Sequence, residues 1–350
     1  MRLTAFFHPL ATLASVTMLA ALSLAGCGGT TPARPDAGTQ PALSSSAPPV
    51  RIGIALGGGA AKGFAHIGVI KMLEANGFAP AVVSGTSAGS VVGALYASGM
   101  NAFEMQEKAV ALDEAKIRDL QLSSGGLVLG QKLEDYVNEQ VRRKPLEQMA
   151  KPFVVVATRL EDGERTVFAR GNTGQAVRAS SSVPGVFQPV TIGKYHFVDG
   201  GIVSPVPVDA ARQLGADIVI AVDISNKARG QPPGDMLGTL GQSIAIMGQK
   251  LGQAELARAD VIIRPQVLDI GSADFSQRTN AILEGEKAAL AVMPQIRERV
   301  AQLQAERANA ARAAQQKAAE AQYQTCLEKR SSLQKLAGMA RLDDSCTAPK

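Results

Sequence analysis

Between residues 50 and 225, short apolar runs alternate with stretches of helical spacing. Residues 51–56 (R-I-G-I-A-L) read as a buried strand, and the seven residues Gly57-Gly58-Gly59-Ala60-Ala61-Lys62-Gly63 that follow read as a loop. From residue 64 to 76 the apolar positions Ile67, Ile70, Met72 and Leu73 have helical spacing, and Gly77 supplies a stop. Residues 81–85 (A-V-V-S-G) predict a second strand, residues 86–89 a sharp turn, and residues 90–97 a helix. Further apolar runs at 153–157, 166–169, 195–198 and 217–222 read as buried strands. Strands alternating with helices predict an α/β fold with a mostly parallel sheet covered on both faces.

The two ends break this pattern. Met1 and Arg2 precede an apolar run over residues 10–24, interrupted only by small Ser and Thr. A positive start, a short apolar stretch and small residues are the marks of a secretory signal peptide, and the run is short for a spanning helix, which needs about 20 residues. It ends Leu24-Ala25-Gly26-Cys27, which resembles the bacterial lipobox. That resemblance implies cleavage before Cys27 and lipidation of its thiol, with acyl chains contributing roughly 0.8 kcal/mol per buried CH₂. Residues 1–26 are thus expected to be a lipoprotein signal peptide, with 27–49 a lipidated cysteine and a Pro/Ser-rich linker. Pro32, Pro35, Pro41, Pro48 and Pro49 among Gly, Ser, Thr and Ala leave that linker little apolar surface to bury. Gly28 stands where an inner-membrane retention signal would have Asp, so the expected location is the outer membrane, facing the periplasm. At the other end, the run from 295 to 324, rich in Ala, Arg, Gln and Glu, predicts a helix. A second short helix is expected near 327–336. The expected division is a domain over 50–294 and a helical tail over 295–350.

Composition adds limits. The hydrophobic fraction of 46% suffices for a large core, Trp is absent, aromatics are 4% and the formal charge is +5. Nucleic-acid binding gains no support from these figures. Residues 294–350 hold ten Lys or Arg and six Asp or Glu, so most of the excess sits in the tail. That tail reads as a solvated helix face or as a basic element against anionic lipid. Of three cysteines, Cys326 and Cys346 remain once Cys27 is set aside, and an even pair in an oxidising compartment is an expected disulfide.

The chemistry points to a serine. Gly85-Thr86-Ser87-Ala88-Gly89 is a G-x-S-x-G elbow in the context it needs, strand before and helix after. The glycine loop fails the phosphate-loop pattern, because Lys62 is followed by Gly63, and it fails G-x-G-x-x-G as well. Bare backbone amides before a helix do suit an oxyanion hole. A serine nucleophile needs a base. His66 lies early in the first helix; His196 lies in a strand ending Asp199-Gly200-Gly201. Asp199 at a strand end is placed to reach the serine directly, while a Ser-His-Asp triad through His196 would draw its acid from Asp113, Asp119, Asp135 or Asp162.

The order G-G-G-A-A-K-G, G-T-S-A-G, D-G-G resembles the patatin-like phospholipases. The likeness extends through His66-Ile67-Gly68-Val69, through A-S-S-S-V-P-G-V-F at 179–187 and through G-I-V-S-P-V-P at 201–207. Ala60, Lys62 and Val183 depart from the more usual residues of that family. The resemblance implies a three-layer α/β/α domain and a Ser87–Asp199 dyad that needs no histidine, metal or cofactor. Gly57, Gly58 and Gly59 would hold the oxyanion, with Lys62 beside them, and the substrate would be a phospholipid or other lipid ester. The segment from 112 to 146 is a candidate cover over an acyl pocket. A carboxylesterase with a conventional triad, and a non-enzymatic envelope scaffold, stand as alternatives.

Overall fold

The computed structural model describes residues 48–337 except 118, 124–125, 226–233 and 235, together with Cys346 and Ala348. The expected signal peptide, Cys27 and nearly all of the linker lie outside the described residues.

In chain order the elements are β1 (Ile52–Leu56), α1 (Ala65–Ala75), β2 (Val82–Thr86), α2 (Ala88–Ala97), α3 (Ala102–Val110), β3 (Leu120–Ser123), β4 (Gly126–Val128) and α4 (Gln131–Gln140). Then come β5 (Phe153–Arg159), β6 (Arg165–Phe168), α5 (Thr173–Ser180), β7 (Val190–Ile192), β8 (Tyr195–Asp199) and α6 (Val208–Gln213). The chain continues through β9 (Ile218–Val222), α7 (Met236–Leu256), β10 (Val261–Ile263) and α8 (Arg278–Ala337). The main sheet is eight-stranded, with order β10-β9-β1-β2-β5-β8-β7 and β6 also on β5. From β10 to β5 every pairing is parallel, whereas β6, β7 and β8 are antiparallel to their partners. β3 and β4 form a separate pair.

β1, β2 and β9 are buried along their whole length, as strands covered on both faces must be. Ile52, Ile54 and Leu56 pack with α1, α2 and α8, while Ala55 packs with Val208 and Ala211 of α6 and Leu256 of α7. Period-two alternation along one strand thus serves two helical layers, giving the α/β/α sandwich.

The register of β5 explains how distant residues meet. Val155 and Val156 pair with both β2 and β6, so those strands occupy opposite edges of β5. Ala157 and Thr158 pair with both β6 and β8, which places β8 on the edge that β2 uses. β2 therefore ends at Thr86, opposite Val156, and β8 ends at Asp199, opposite Ala157. The two strands run toward each other along one edge of β5 and stop at successive positions.

The expected division at residue 294 falls within α8. α8 is one helix across Pro294, and its first turns belong to the core: Ala281, Ala289 and Ile296 are fully buried. α1 and α8 touch at backbone distance, since a Cβ on Gly68 would overlap the Ile282 carbonyl and one on Gly285 would overlap that of Ala65. Beyond the proline, Val300 packs against the same core, Arg299 bonds Asp260 at 3.1 Å, and Arg307 pairs with Asp217. Pro294 removes one backbone hydrogen bond, and the packing on both sides of it holds the helix. The separate short helix expected at 327–336 is the end of α8, and a disulfide joins Cys326 to Cys346. The 112–146 segment carries β3, β4 and α4, and its middle is tied down where Arg178 donates to Leu129 O at 2.8 Å.

Candidate active site

Ser87 sits between β2 and α2 with φ 52° and ψ −125°, left-handed backbone that a non-glycine residue rarely adopts. Such geometry costs roughly 1–3 kcal/mol and persists only where the surroundings enforce it. The surroundings here are specific. The Ser87 amide donates to Ser180 Oγ at 2.8 Å, and Ser180 Oγ donates to Val156 O at 2.5 Å. Ser90 Oγ donates to Ser87 O at 2.6 Å. The elbow is closed by Gly85 and Gly89: a Cβ on Gly85 would lie 2.6 Å from Gly89 O, and one on Gly89 would overlap Leu56 O. α2 thus rests against the backbone of β1.

Ser87 Oγ donates to Asp199 Oδ2 at 2.6 Å, and both residues are buried, at 7% and 6% exposure. The other carboxylate oxygen, Oδ1, accepts from the Gly201 amide at 2.7 Å. The Asp199 backbone is held by its N–H to Ser182 O at 2.9 Å and by Thr158 Oγ1 donating to its carbonyl at 2.8 Å. Burial pushes the Asp199 carboxyl up to about 6, against the lowering pull of its bonds from Ser87 and Gly201. At neutral pH it is still ionised, yet far more basic than an exposed aspartate.

The glycine loop lies against this pair, since a Cβ on Gly58 would sit 3.2 Å from Ser87 Cβ. Its amides divide in a way the sequence does not reveal. Gly57 N donates to Val222 O and Gly58 N to Pro205 O, both at 3.0 Å. The first ties the loop to β9 and the second to the segment after Asp199, so in this structure both amides expected as oxyanion donors already have acceptors. Among the described residues none accepts from the amides of Gly59 or Ala60, the next two in line. Ala60 has φ 52°, at the place where glycine is more usual in the resembling family. Lys62 is buried and engaged, not a solvated surface lysine.

Neither histidine touches the pair. His196 is exposed, and its Nδ1 lies 2.8 Å from Glu161 Oε1. His66 is fully buried, with Nε2 at 2.8 Å from Gly57 O. Burial pushes its imidazole down to about 4, outweighing the raising effects of the Gly57 bond and Asp223, so the ring is neutral and Nε2–H donates. His66 steadies the first residue of the glycine loop. Among the described residues no group of three or more His, Cys, Asp or Glu is placed to hold a metal.

Several contributors carried no recognisable sign in the sequence. Ser180 falls in the quoted A-S-S-S-V-P-G block, where three serines in a row hide which one matters. Thr158 is one polar residue in an apolar strand. Glu255 is remote in sequence from every motif, yet its carboxylate reaches the segment after Asp199.

Residues 54–212 match the family model described as patatin-like phospholipase. An uncharacterized NTE family protein of Mycobacterium bovis is 35% identical over 188 residues, covering 53% of this chain and 52% of that protein. The lysophospholipase NTE1 of Pyricularia oryzae is 26% identical over 279 residues, covering 71% of this chain and 19% of that protein. The chain therefore spans about half the length of the first relative and less than a fifth of the second. Among solved structures, VipD from Legionella pneumophila aligns with a TM-score of 0.41 at 16% identity, over 71% of this chain and 67% of that one.

Proposed function

From the match of residues 54–212 to the patatin-like phospholipase family model, we propose that this chain hydrolyses fatty acyl esters of lipids through a Ser87–Asp199 dyad. The observation that carries this reading is the 2.6 Å bond from a strained, buried Ser87 to a buried carboxylate of raised pKa. Raised basicity near the working pH is what a general base requires. Ser87 Oγ attacks the acyl carbonyl carbon while Asp199 Oδ2 takes its proton. The tetrahedral oxyanion is held by backbone amides at the start of the 3-10 turn over Ala60–Phe64, for which Gly59 and Ala60 have donors to offer. Collapse breaks the ester C–O bond, and the leaving alcohol takes the proton from Asp199. Water then attacks the acyl-serine while Asp199 again accepts a proton; collapse breaks the acyl C–Oγ bond, Asp199 returns the proton to Ser87 Oγ, and the fatty acid leaves. Losing one oxyanion donor typically costs roughly 10²–10³ in rate.

A triad through His196 is disfavoured by that ring's engagement with Glu161. The test is calcium-free fatty-acid release from mixed phospholipid vesicles and from a short-chain ester. His196→Ala is expected to keep its rate within about twofold of the parent, since general acid–base partners contribute about 10²–10⁴. A hundredfold loss in a folded His196→Ala would restore the triad. A parent protein inert on both substrates would favour the scaffold reading.

The lipobox-like Leu24-Ala25-Gly26-Cys27 supports a further part of the proposal, a lipid anchor at Cys27 in the outer membrane. Cells grown with an alkyne fatty acid are expected to label the parent and not Cys27→Ser. Equal labelling of both would rule the anchor out.

A further inference from the structure

The segment after Asp199 runs Ser204-Pro205-Val206-Pro207, and it presents three carbonyls, one to the glycine loop and two to β2 just before the elbow. Ser204 O accepts from Thr86 Oγ1 at 2.8 Å, Pro205 O from the Gly58 amide at 3.0 Å, and Pro207 O from Ser84 Oγ at 2.8 Å. Thr86 immediately precedes the nucleophile, Ser84 lies in the same strand, and Gly58 lies against Ser87 Cβ. The two prolines have no N–H and fix their own φ, so the segment is a stiff row of acceptors. Only Ser204 and Val206 have backbone donors with which to hold it. Ser204 N donates back to Gly200 O at 2.8 Å.

The remaining hold comes from outside the segment. Glu255, near the end of α7, accepts from Ser204 Oγ at 2.5 Å through Oε1 and from the Val206 amide at 2.9 Å through Oε2. The carboxylate is buried, at 5% exposure, and so are Ser204 and Val206. Arg165 and Asp209 on α6 have opposite effects on it. Burying a carboxylate costs free energy unless its oxygens are satisfied, and both oxygens here bond to the one segment that sets the glycine loop and the elbow. A solvated helix end would have no use for this arrangement.

We infer that Glu255 is a positioning residue of the Ser87 site, fixing the Ser204–Pro207 carbonyl row that aims the glycine loop and the nucleophile elbow. This rests on Ser87 being the nucleophile. It makes the seating of α7 part of the catalytic apparatus, although the bonds of Ser87 Oγ and the Asp199 carboxylate go to each other and to the Gly201 amide, not to that helix.

The test is the rate at which a fluorophosphonate labels Ser87 in the full chain, with maximal rate and half-saturating concentration resolved. Displacements of about 1 Å at a reacting centre can cost about 10² in rate. Glu255→Ala is expected to lower the maximal labelling rate about 30-fold and to leave the half-saturating concentration within about twofold. Glu255→Gln keeps an acceptor and a donor at the same place and is expected to recover the rate to within about fivefold of the parent. A folded Glu255→Ala that labels at the parent rate, or whose defect lies in the half-saturating concentration, overturns the inference. Should Glu255→Ala not fold, Ser204→Ala carries the test: about a threefold to tenfold slower maximal rate is expected, and the parent rate overturns it. Absence of labelling in the parent would instead refute the nucleophile assignment, so the two failures are distinct.

Discussion

Asp199→Asn is expected to lower fatty-acid release about 10³-fold while making the protein more stable at neutral pH. The amide can still accept from Gly201 and meet Ser87 Oγ, so geometry is retained while the proton acceptor is lost. The stability gain follows from the pKa. Burial raises the Asp199 carboxyl from 3.8 to about 6, so between pH 4 and 6 the native state binds more proton than the unfolded chain. The contribution of Asp199 to stability is therefore full below about pH 4 and is lost as pH rises through 6. Above that pH the buried charge costs on the order of 3 kcal/mol, which the asparagine does not incur. His66 acts in the opposite sense. Its folded pKa is depressed from 6.5 to about 4, so its contribution is present above pH 6.5 and lost as pH falls toward 4. In the parent the two slopes offset; in Asp199→Asn the His66 slope stands alone. Thermal melts of both proteins from pH 4 to 8 are expected to show the variant more stable at pH 7.5, with the gap closing by pH 4. The parent's kcat/KM should fall on the acid side with an apparent pKa near 6, because only ionised Asp199 accepts the proton. Equal stability at pH 7.5, or an acid limb well below pH 5, would mean that the carboxyl is not held in the buried, raised state.

The second large effect is structural. Gly89→Ala is expected to cost about 3 kcal/mol or more and to abolish activity in whatever fraction folds. The added methyl would overlap Leu56 O and come within 2.8 Å of Gly57 O. Neither is the end of a flexible side chain; both are backbone of the strand and loop that flank Ser87. Relief would require α2 to lift from β1, carrying the elbow with it. Gly77→Ala is the control, because no atom lies within 4 Å of a Cβ there and the only cost is its φ of 79°, about 1 kcal/mol. Denaturant unfolding of the two variants should separate overlap from strain. Similar midpoints for both would contradict the close approach of α2 to β1.

Much of this arrangement is legible in the chain because it is local. β1 and β2 announce themselves as apolar runs, and the elbow and glycine loop follow them directly. The meeting of Ser87 with Asp199 is not local. It depends on β8 taking the edge of β5 that β2 leaves free, a pairing that no periodicity encodes. The same holds for the loop amides. Gly57 and Gly58 look like donors in the sequence, but Val222 O and Pro205 O, more than 140 residues away, take both. That α8 continues past residue 294 is hidden for a related reason. A proline and a shift to alanine read as a domain end, whereas Ile296 is buried against α1 and the sheet. Packing holds the helix through a residue that lowers helix propensity. α7 is rich in glycine, and Glu255 near its end looks like an ordinary surface charge until the fold places it beneath Ser204.

The central claim is that the acyl group passes through Ser87. The most direct measurement is rapid quenching of the enzyme during turnover of a short-chain ester, followed by peptide mass spectrometry. An acyl adduct is expected on the peptide containing Ser87, absent from a Ser87→Ala protein that also fails to turn over. Undiminished hydrolysis by folded Ser87→Ala, or an adduct on another residue, would contradict it.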